Sequence, residues 1–95
     1  MMRYKHAIET NICYTKLVYG RINNKLNTSL SEYEIEELIT AIVTETDESG
    51  FHKIGKNIYI TSGKRNLRLT VNSFTNRIIT VDKLDKIKNP HPLTF

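Results

Sequence analysis

The second half of the chain alternates apolar and polar residues in short runs, and this alternation is the feature that most limits its possible folds. The runs lie at roughly 51–54, 57–61, 67–72 and 77–82. A period of two residues is typical of β-strands that bury one face and leave the other open. Because short loops join the runs, we predict a four-stranded antiparallel sheet.

The loops predict which strand residues face each other. Gly55 begins a two-residue loop, which is typical of a type II′ hairpin, and burial favours loops at 62–65 and 73–75 between the later strands. The cross-strand pairs expected from these loops are Ile54–Asn57, His52–Tyr59, Tyr59–Arg68 and Arg68–Thr80. The expected apolar rows are Phe51, Ile60, Leu67 and Val81, then Ile58, Leu69 and Ile79. Lys53 interrupts the apolar side and is therefore expected near an edge of the sheet.

Helical periodicity marks the first half of the chain. The segment 31–45 begins with a capping box of Ser31 and Glu34. Its apolar residues recur at the spacing of one helical face, at Ile35, Leu38, Ile39, Ile42 and Val43. A weaker pattern predicts a helix that ends near Leu26 and has Thr15 as its N-cap. Residues 4–12 form either a separate short helix or a continuation of that helix.

These patterns predict an α+β fold in which two N-terminal helices pack on one face of a four-stranded antiparallel sheet. The length of 95 residues suits one domain that spans the whole chain. We expect its helical part at about 4–48, its sheet at about 51–84 and an extended tail at 85–95.

The composition excludes several classes of protein. Cys13 is the single cysteine, so neither a disulfide framework nor a cysteine-rich zinc site can form, and we expect it to pack against other residues. The apolar runs are too short to span a bilayer and the N-terminus does not resemble a signal peptide, which favours a cytoplasmic chain that does not bind membranes. Its histidines are scattered and no glycine-rich loop has phosphate-binding spacing, so we expect no metal and no cofactor.

Charge is segregated along the chain, whose net charge is +4. Residues 1–28 carry five basic side chains and one acidic one, whereas residues 29–48 carry seven acidic side chains and no basic one. Residues 49–95 carry nine basic side chains and two acidic ones. A basic sheet beside an acidic helix could steer an anionic partner toward the sheet. Solvated edges and the lysine bias of an AT-rich genome explain the same pattern equally well.

The polar residues of the strands suggest a site. His52, Tyr59 and Arg68 supply a proton acceptor, a proton donor and a phosphate ligand, which metal-free RNA cleavage requires. If the chain is an enzyme, we therefore predict a metal-independent ribonuclease with these three as catalytic residues. The residues expected to contact nucleic acid are Lys56, Asn57, Thr70, Asn72, Arg77, Thr80 and Arg21.

Other interpretations stay open at this point. A polar sheet face that only faces water is the ordinary outcome for an antiparallel sheet. A non-enzymatic inhibitor or adaptor, of the kind carried by phages and mobile elements, would bind a protein through the acidic helix 31–45 or the basic sheet. A small-ligand module would use the polar face. The expected partners are thus RNA, DNA or a protein, and the chain could be a monomer or a homodimer.

Three segments resemble a family of small bacterial proteins known only as a domain of unknown function. They read "CYTKLVYGRINNKL", "GKNIYIT" and "RLTVNSFTNRIITVDKL", and the likeness extends from about Asn11 to Leu84. Its polar signature falls on Thr15, Arg21, Gly55, Lys56, Asn57, Tyr59, Asn72, Thr75 and Thr80. Cys13 and Tyr14 stand where such proteins often have a histidine. The order of helices and strands is also similar, more loosely, to metal-independent ribonucleases such as barnase, RelE toxins and colicin tRNases, which would imply RNA cleavage.

Overall fold

The structure is a computed structural model and describes residues 4–86. Its helices are α1 (Tyr4–Asn11), α2 (Val18–Leu26) and α3 (Glu32–Glu45), and its strands are β1 (Phe51–Ile54), β2 (Asn57–Ser62), β3 (Leu67–Asn72) and β4 (Ile78–Lys83). Short 3₁₀ helices lie at Glu48–Gly50 and Leu84–Lys86. The α+β class and the antiparallel sheet are confirmed. Three helices precede the sheet instead of two, and most of the extended tail predicted at 85–95 lies outside the described residues.

Helix α3 forms as its sequence predicts. The Ser31 hydroxyl accepts a hydrogen bond from the Glu34 amide at 3.1 Å, and the Glu34 carboxylate accepts one from the Ser31 amide at 2.8 Å. This capping box satisfies backbone donors that a helix start would otherwise leave unpaired. The buried residues of the helix are Ile35, Ile39, Ile42 and Val43, whereas Leu38 is half-buried.

The segment before α3 departs from its prediction. α1 and α2 are separate helices, and α2 begins at Val18 with Leu17 as its N-cap instead of Thr15. No side chain caps this end of α2; the Val18 amide donates to the Thr15 backbone carbonyl at 3.2 Å. Asn27 ends α2 in a left-handed conformation with φ 58°, which asparagine tolerates better than most residues.

The four strands pair antiparallel in the order β1-β2-β3-β4. The first hairpin has the predicted register, with His52 opposite Tyr59 and Ile54 opposite Asn57. Gly55 has φ +62°, which a type II′ turn requires at this position and which glycine adopts without a steric penalty.

The register of the other two hairpins is wrong in the prediction. Their loops occupy 63–66 and 73–76 and end at Asn66 and Asn76, both with positive φ. The observed pairs are Tyr59–Thr70, Ile60–Leu69, Thr61–Arg68, Thr70–Thr80 and Arg68–Asp82. For β2 and β3 the shift is two residues, so each side chain keeps its predicted face while its neighbour changes.

An irregularity between β3 and β4 reverses one core assignment. The register shifts between Thr70 and Val71, so that Val71 pairs with Ile78. An extra residue of this kind breaks the alternation of faces along a strand. Ile78 is therefore buried and Ile79 is half-buried, the opposite of the predicted arrangement.

One cluster of buried apolar side chains joins the helices to the sheet. It contains Ile8 of α1, then Val18, Ile22, Leu26, Ile35, Ile39, Ile42, Val43, Phe51, Ile58, Ile60, Leu69, Val71, Ile78 and Val81. Lys53 lies on β1 at the edge of the sheet as predicted, and its Nζ donates to the Gly55 carbonyl at 2.9 Å. Cys13, which we expected to pack, is exposed. In the described part of the chain no helix has the length and apolar character needed to cross a membrane.

Gly50 lies where α3 meets the sheet, and we expect its replacement by alanine to destabilise the domain by about 1–3 kcal/mol. A Cβ at this position would lie 2.6 Å from Thr46 Cγ2 and 3.3 Å from the Thr61 carbonyl oxygen. Thr46 cannot move away easily, because it is buried and its hydroxyl donates to the Ile42 carbonyl at 2.6 Å. Urea denaturation measures the change. Gly63→Ala is the control, since a Cβ there meets no atom within 4 Å; equal stability of the two variants would contradict the prediction.

Candidate nucleic-acid interface

Polar side chains alternate with the core residues of the strands and form a set that we call the polar sheet face. Its members are His52, Asn57, Tyr59, Thr61, Arg68, Thr70 and Thr80. The register brings His52, Tyr59, Thr70 and Thr80 into one row across all four strands. Arg68 lies in the next row, between Thr61 and Asp82, so the predicted pairs Tyr59–Arg68 and Arg68–Thr80 are wrong.

Tyr59 and Arg68 are nevertheless in contact. Tyr59 pairs with Thr70, two residues from Arg68 on β3, so the two side chains are diagonal neighbours. The Arg68 guanidinium carbon lies 4.8 Å from the centre of the Tyr59 ring, within the range of a cation–π interaction. Asn57 donates from Nδ2 to the Tyr59 hydroxyl at 3.5 Å, the long limit of a hydrogen bond. These three side chains form the centre of the polar sheet face.

Arg68 has no carboxylate partner among residues 4–86. Asp82, which faces it across β3 and β4, instead lies 3.5 Å from Lys25 of α2. The Arg68 Nε atom is buried and has no hydrogen-bond partner within the described residues, and the same holds for Asn57 Oδ1 and Thr80 Oγ1. Buried polar atoms are normally paired, so these three atoms are exceptions within the described residues.

The other two residues at this end of the sheet are exposed. His52 lies on the edge strand β1, directly across from Tyr59. Lys56 occupies the β1–β2 turn, and its backbone carbonyl accepts hydrogen bonds from the Ser73 amide and hydroxyl, both at 2.8 Å. The turn is thereby tied to the β3–β4 loop, and its lysine side chain is exposed.

Three of the predicted contact residues line a groove beside the sheet, although one of them, Asn72, also pairs with Asn57 of the polar sheet face. Asn72 accepts hydrogen bonds at Oδ1 from the Phe74 and Thr75 amides, at 2.8 and 3.1 Å, and so holds the β3–β4 loop. Together with Arg21 and Arg77 it lines a groove between α2 and β4. The predicted set is therefore divided between the polar sheet face and this groove.

The match to a family model extends over residues 6–82, and the family is described as "Protein of unknown function (DUF3781)". The chain belongs to the DUF3781 family. This confirms the resemblance to a domain of unknown function, and every predicted site residue lies within the matched span. No curated protein and no solved structure gives a significant match to the DUF3781 chain, so the likeness to ribonucleases stays a prediction.

The acidic helix of the DUF3781 domain carries contacts that the sequence did not reveal. The Tyr19 hydroxyl donates to Glu36 Oε2 at 2.6 Å, and this hydrogen bond to a carboxylate raises the pKa of Tyr19 to about 12. Tyr19 also stacks on Tyr14, with ring centroids 5.9 Å apart. Arg65 binds both carboxylate oxygens of Glu45 and holds the pKa of that carboxyl below its ordinary value. Tyr19–Glu36 joins α2 to α3 and Arg65–Glu45 joins the β2–β3 loop to α3, so only the fold brings together these residues, which are 17 and 20 positions apart.

Within residues 4–86, no three His, Cys, Asp or Glu side chains form a group that could hold a metal ion.

Proposed function

We propose that this DUF3781 domain binds RNA through the polar sheet face, with Arg68 as the phosphate ligand. The observation that carries the proposal is the Arg68 guanidinium held 4.8 Å from the Tyr59 ring without a carboxylate partner in the described part of the chain. The proposal requires that the helices lie on the opposite side of the sheet, which leaves this face open. It is consistent with a cytoplasmic protein.

Contact with Tyr59 prepares Arg68 for an anion. A guanidinium that lies on an aromatic ring loses little conformational freedom when it binds phosphate, and its planar fork can form two hydrogen bonds to one phosphate group. The exposed Lys56 and the net charge of +4 add attraction for a polyanion. Asn57 is half-buried and its amide group offers hydrogen bonds to bases or riboses, whereas Thr70 and the Thr80 hydroxyl are buried.

The same face has the groups that RNA cleavage needs. In the catalytic form of the proposal, His52 accepts the proton of a ribose 2′-hydroxyl, whose oxygen then bonds to the adjacent phosphorus. Arg68 stabilises the charge that develops on the phosphate oxygens. The bond from phosphorus to the 5′-oxygen breaks, and Tyr59 gives that oxygen a proton, which leaves a 2′,3′-cyclic phosphate and a 5′-hydroxyl.

Arg68→Ala should weaken binding of a fluorescent single-stranded RNA by about 10-fold or more, because a hydrogen bond to a charged group typically contributes about 1.5–3 kcal/mol. The slope of log affinity against log salt should also decrease by about 0.7, the value for one phosphate contact on a single strand. Fluorescence anisotropy at several salt concentrations measures both quantities.

Lys64→Ala is the matched control for this experiment, because it also removes one positive charge but lies in the β2–β3 loop, 3.8 Å from Glu45. It should bind RNA nearly as the wild type does. Arg68→Lys keeps the charge and loses the planar fork, and should recover the salt dependence more fully than the affinity. Identical affinities for wild type, Arg68→Ala and Lys64→Ala would remove the polar sheet face from consideration.

A protein partner is the second candidate, and one feature of α3 favours it. Tyr33 is 69% exposed and lines a shallow apolar groove of about 470 Å³ with the acidic residues Glu36, Glu37 and Glu45. An aromatic side chain surrounded by carboxylates would suit the basic surface of another protein, as expected for an inhibitor or adaptor. If this alternative is right, Tyr33→Ala and Glu37→Lys should each abolish retention of the protein partner. Glu37 is the better choice than Glu36, whose carboxylate also binds Tyr19.

A further inference from the structure

The groove between α2 and the start of β4 has the composition of an anion site. Its volume is about 270 Å³, and its lining residues are Thr15, Leu17, Val18, Arg21, Asn72, Arg77, Ile78 and Ile79. Two of these residues are cationic and none is acidic. The polar residues come from both sides of the groove, with Thr15 and Arg21 on the α2 side and Asn72 and Arg77 on the sheet side.

Neither arginine of the groove is neutralised by the described residues. Arg21 and Arg77 are both exposed, and no carboxylate of residues 4–86 lies within 4.0 Å of either guanidinium. Lys25 and Arg65, by contrast, have the carboxylate partners Asp82 and Glu45. Two cations that share a groove without an anion repel each other, and a doubly charged anion would remove that repulsion.

The loop geometry leaves Asn72 with a donor for such an anion. Its Oδ1 atom is occupied by the amides of Phe74 and Thr75, so the amide group is fixed in orientation. Its Nδ2 atom has no acceptor among the described residues, and Thr15 forms a hydrogen bond there only through its backbone carbonyl. The groove therefore offers two guanidinium groups, one oriented amide donor and one hydroxyl.

We propose that this groove binds a phosphomonoester. A phosphomonoester carries a charge of about −1.5 to −2 at pH 7, which matches the two arginines, whereas an internal phosphodiester of a nucleic acid carries only one negative charge. The small volume fits a phosphate with a short substituent. The phosphate can belong to the end of an RNA or to a free small molecule. The site is independent of Arg68 and stands whether or not the polar sheet face binds RNA.

Methyl phosphate and dimethyl phosphate are the probes that test this site. Each is titrated into the ¹⁵N-labelled protein at pH 8 and constant ionic strength, and amide chemical shifts are followed by NMR. We expect saturable shifts at Thr15, Arg21 and Asn72 with methyl phosphate, and an affinity at least 10-fold lower for the dimethyl ester. Shifts no larger than those caused by chloride, or equal affinities for the two esters, would overturn the proposal.

Three variants give the test its specificity. Arg21→Gln and Arg77→Gln should each weaken methyl phosphate binding at least 10-fold, because each removes a charged hydrogen-bond donor. Asn72→Asp keeps the acceptor that holds the loop and replaces the donor by a negative charge, so it should abolish binding while the protein stays folded. Lys16→Gln removes a neighbouring exposed charge outside the groove and should have little effect. Unchanged binding in both arginine variants would place the anion elsewhere.

The source of the phosphate is identified with two RNA oligonucleotides of the same sequence, one with a 5′-phosphate and one with a 5′-hydroxyl. Stronger binding of the phosphorylated RNA, lost in Arg77→Gln and kept in Arg68→Ala, assigns the groove to an RNA end. Equal binding of the two RNAs, with methyl phosphate binding intact, assigns it to a free phosphorylated small molecule. If Arg68→Ala does not change the affinity for RNA, the proposal for the polar sheet face fails, but the methyl phosphate result still stands. The two proposals can therefore fail separately.

Discussion

Leu69→Asp is expected to leave the domain unfolded at 25 °C. Leu69 is completely buried at the centre of the sheet, where it pairs with Ile60 and Val81. A carboxylate at this position would be an unpaired buried charge, which costs about 4–5 kcal/mol or more, and the lost leucine packing adds about 2–5 kcal/mol. Since a domain of this size has a stability of about 5–10 kcal/mol, little or no folded protein should remain. Circular dichroism and thermal melting measure the outcome.

Two further aspartates test the assignment of faces. Thr61→Asp places the same carboxylate on the polar sheet face, directly across from Arg68, and should keep a cooperative melting transition. Leu38→Asp lies on the half-buried side of α3, where the charge can approach water, and should destabilise less than Leu69→Asp. A cooperative transition in Leu69→Asp together with unfolding of Thr61→Asp would show that the two faces are inverted.

RNA cleavage in the presence of a chelator is expected from the wild-type protein, and His52→Ala should reduce its rate by about two to four orders of magnitude. General acid–base groups typically contribute a factor of that size. Tyr59→Phe removes the proposed proton donor but keeps the ring beneath Arg68, so it should also cut slowly while retaining most of the RNA affinity. Electrophoresis of labelled RNA gives the rates, and melting curves confirm that each variant is folded.

His6→Ala is the control for cleavage, because His6 is an exposed histidine on α1, away from the sheet. It should cut as fast as the wild type. If RNA binds but stays intact after prolonged incubation, the protein is an RNA-binding domain without nuclease activity. Intact and unbound RNA, together with a protein partner that Glu37→Lys no longer retains, would instead favour the adaptor.

The faces of the strands could be predicted from the sequence, whereas most cross-strand neighbours could not. The two-residue loop at Gly55 allows only one register, so His52 and Tyr59 were paired correctly. A four-residue loop between β2 and β3 can begin at Ser62 or at Gly63, and both choices bury the same side of β3. The signal that decides between them is Asn66 in a left-handed conformation at the loop end, a position that asparagine tolerates.

The candidate site depended on this register. The observed register differs from the predicted one by two residues, so Arg68 is not directly opposite Tyr59. The two side chains are in contact only as diagonal neighbours. The sequence does not indicate the irregularity at Val71, because either Ile78 or Ile79 could fill the buried apolar position on β4. The groove at Arg21 and Arg77 could not be predicted either, since its residues are more than 50 apart in sequence and meet only through the packing of α2 beside β4.

Cys13, the exposed residue between α1 and α2, forms a parallel backbone bridge with Arg77 at the beginning of β4, and this bridge changes how the sheet meets other chains. The Cys13 amide donates to the Asn76 carbonyl at 2.9 Å, and the Ile78 amide donates to the Cys13 carbonyl at 3.0 Å, so the chain covers the beginning of β4 with its own backbone. At the opposite edge, β1 has only four residues and carries an exposed lysine. Short, charged or covered edges hinder the addition of foreign strands. We therefore expect a foreign strand to add poorly at β1 and at the beginning of β4.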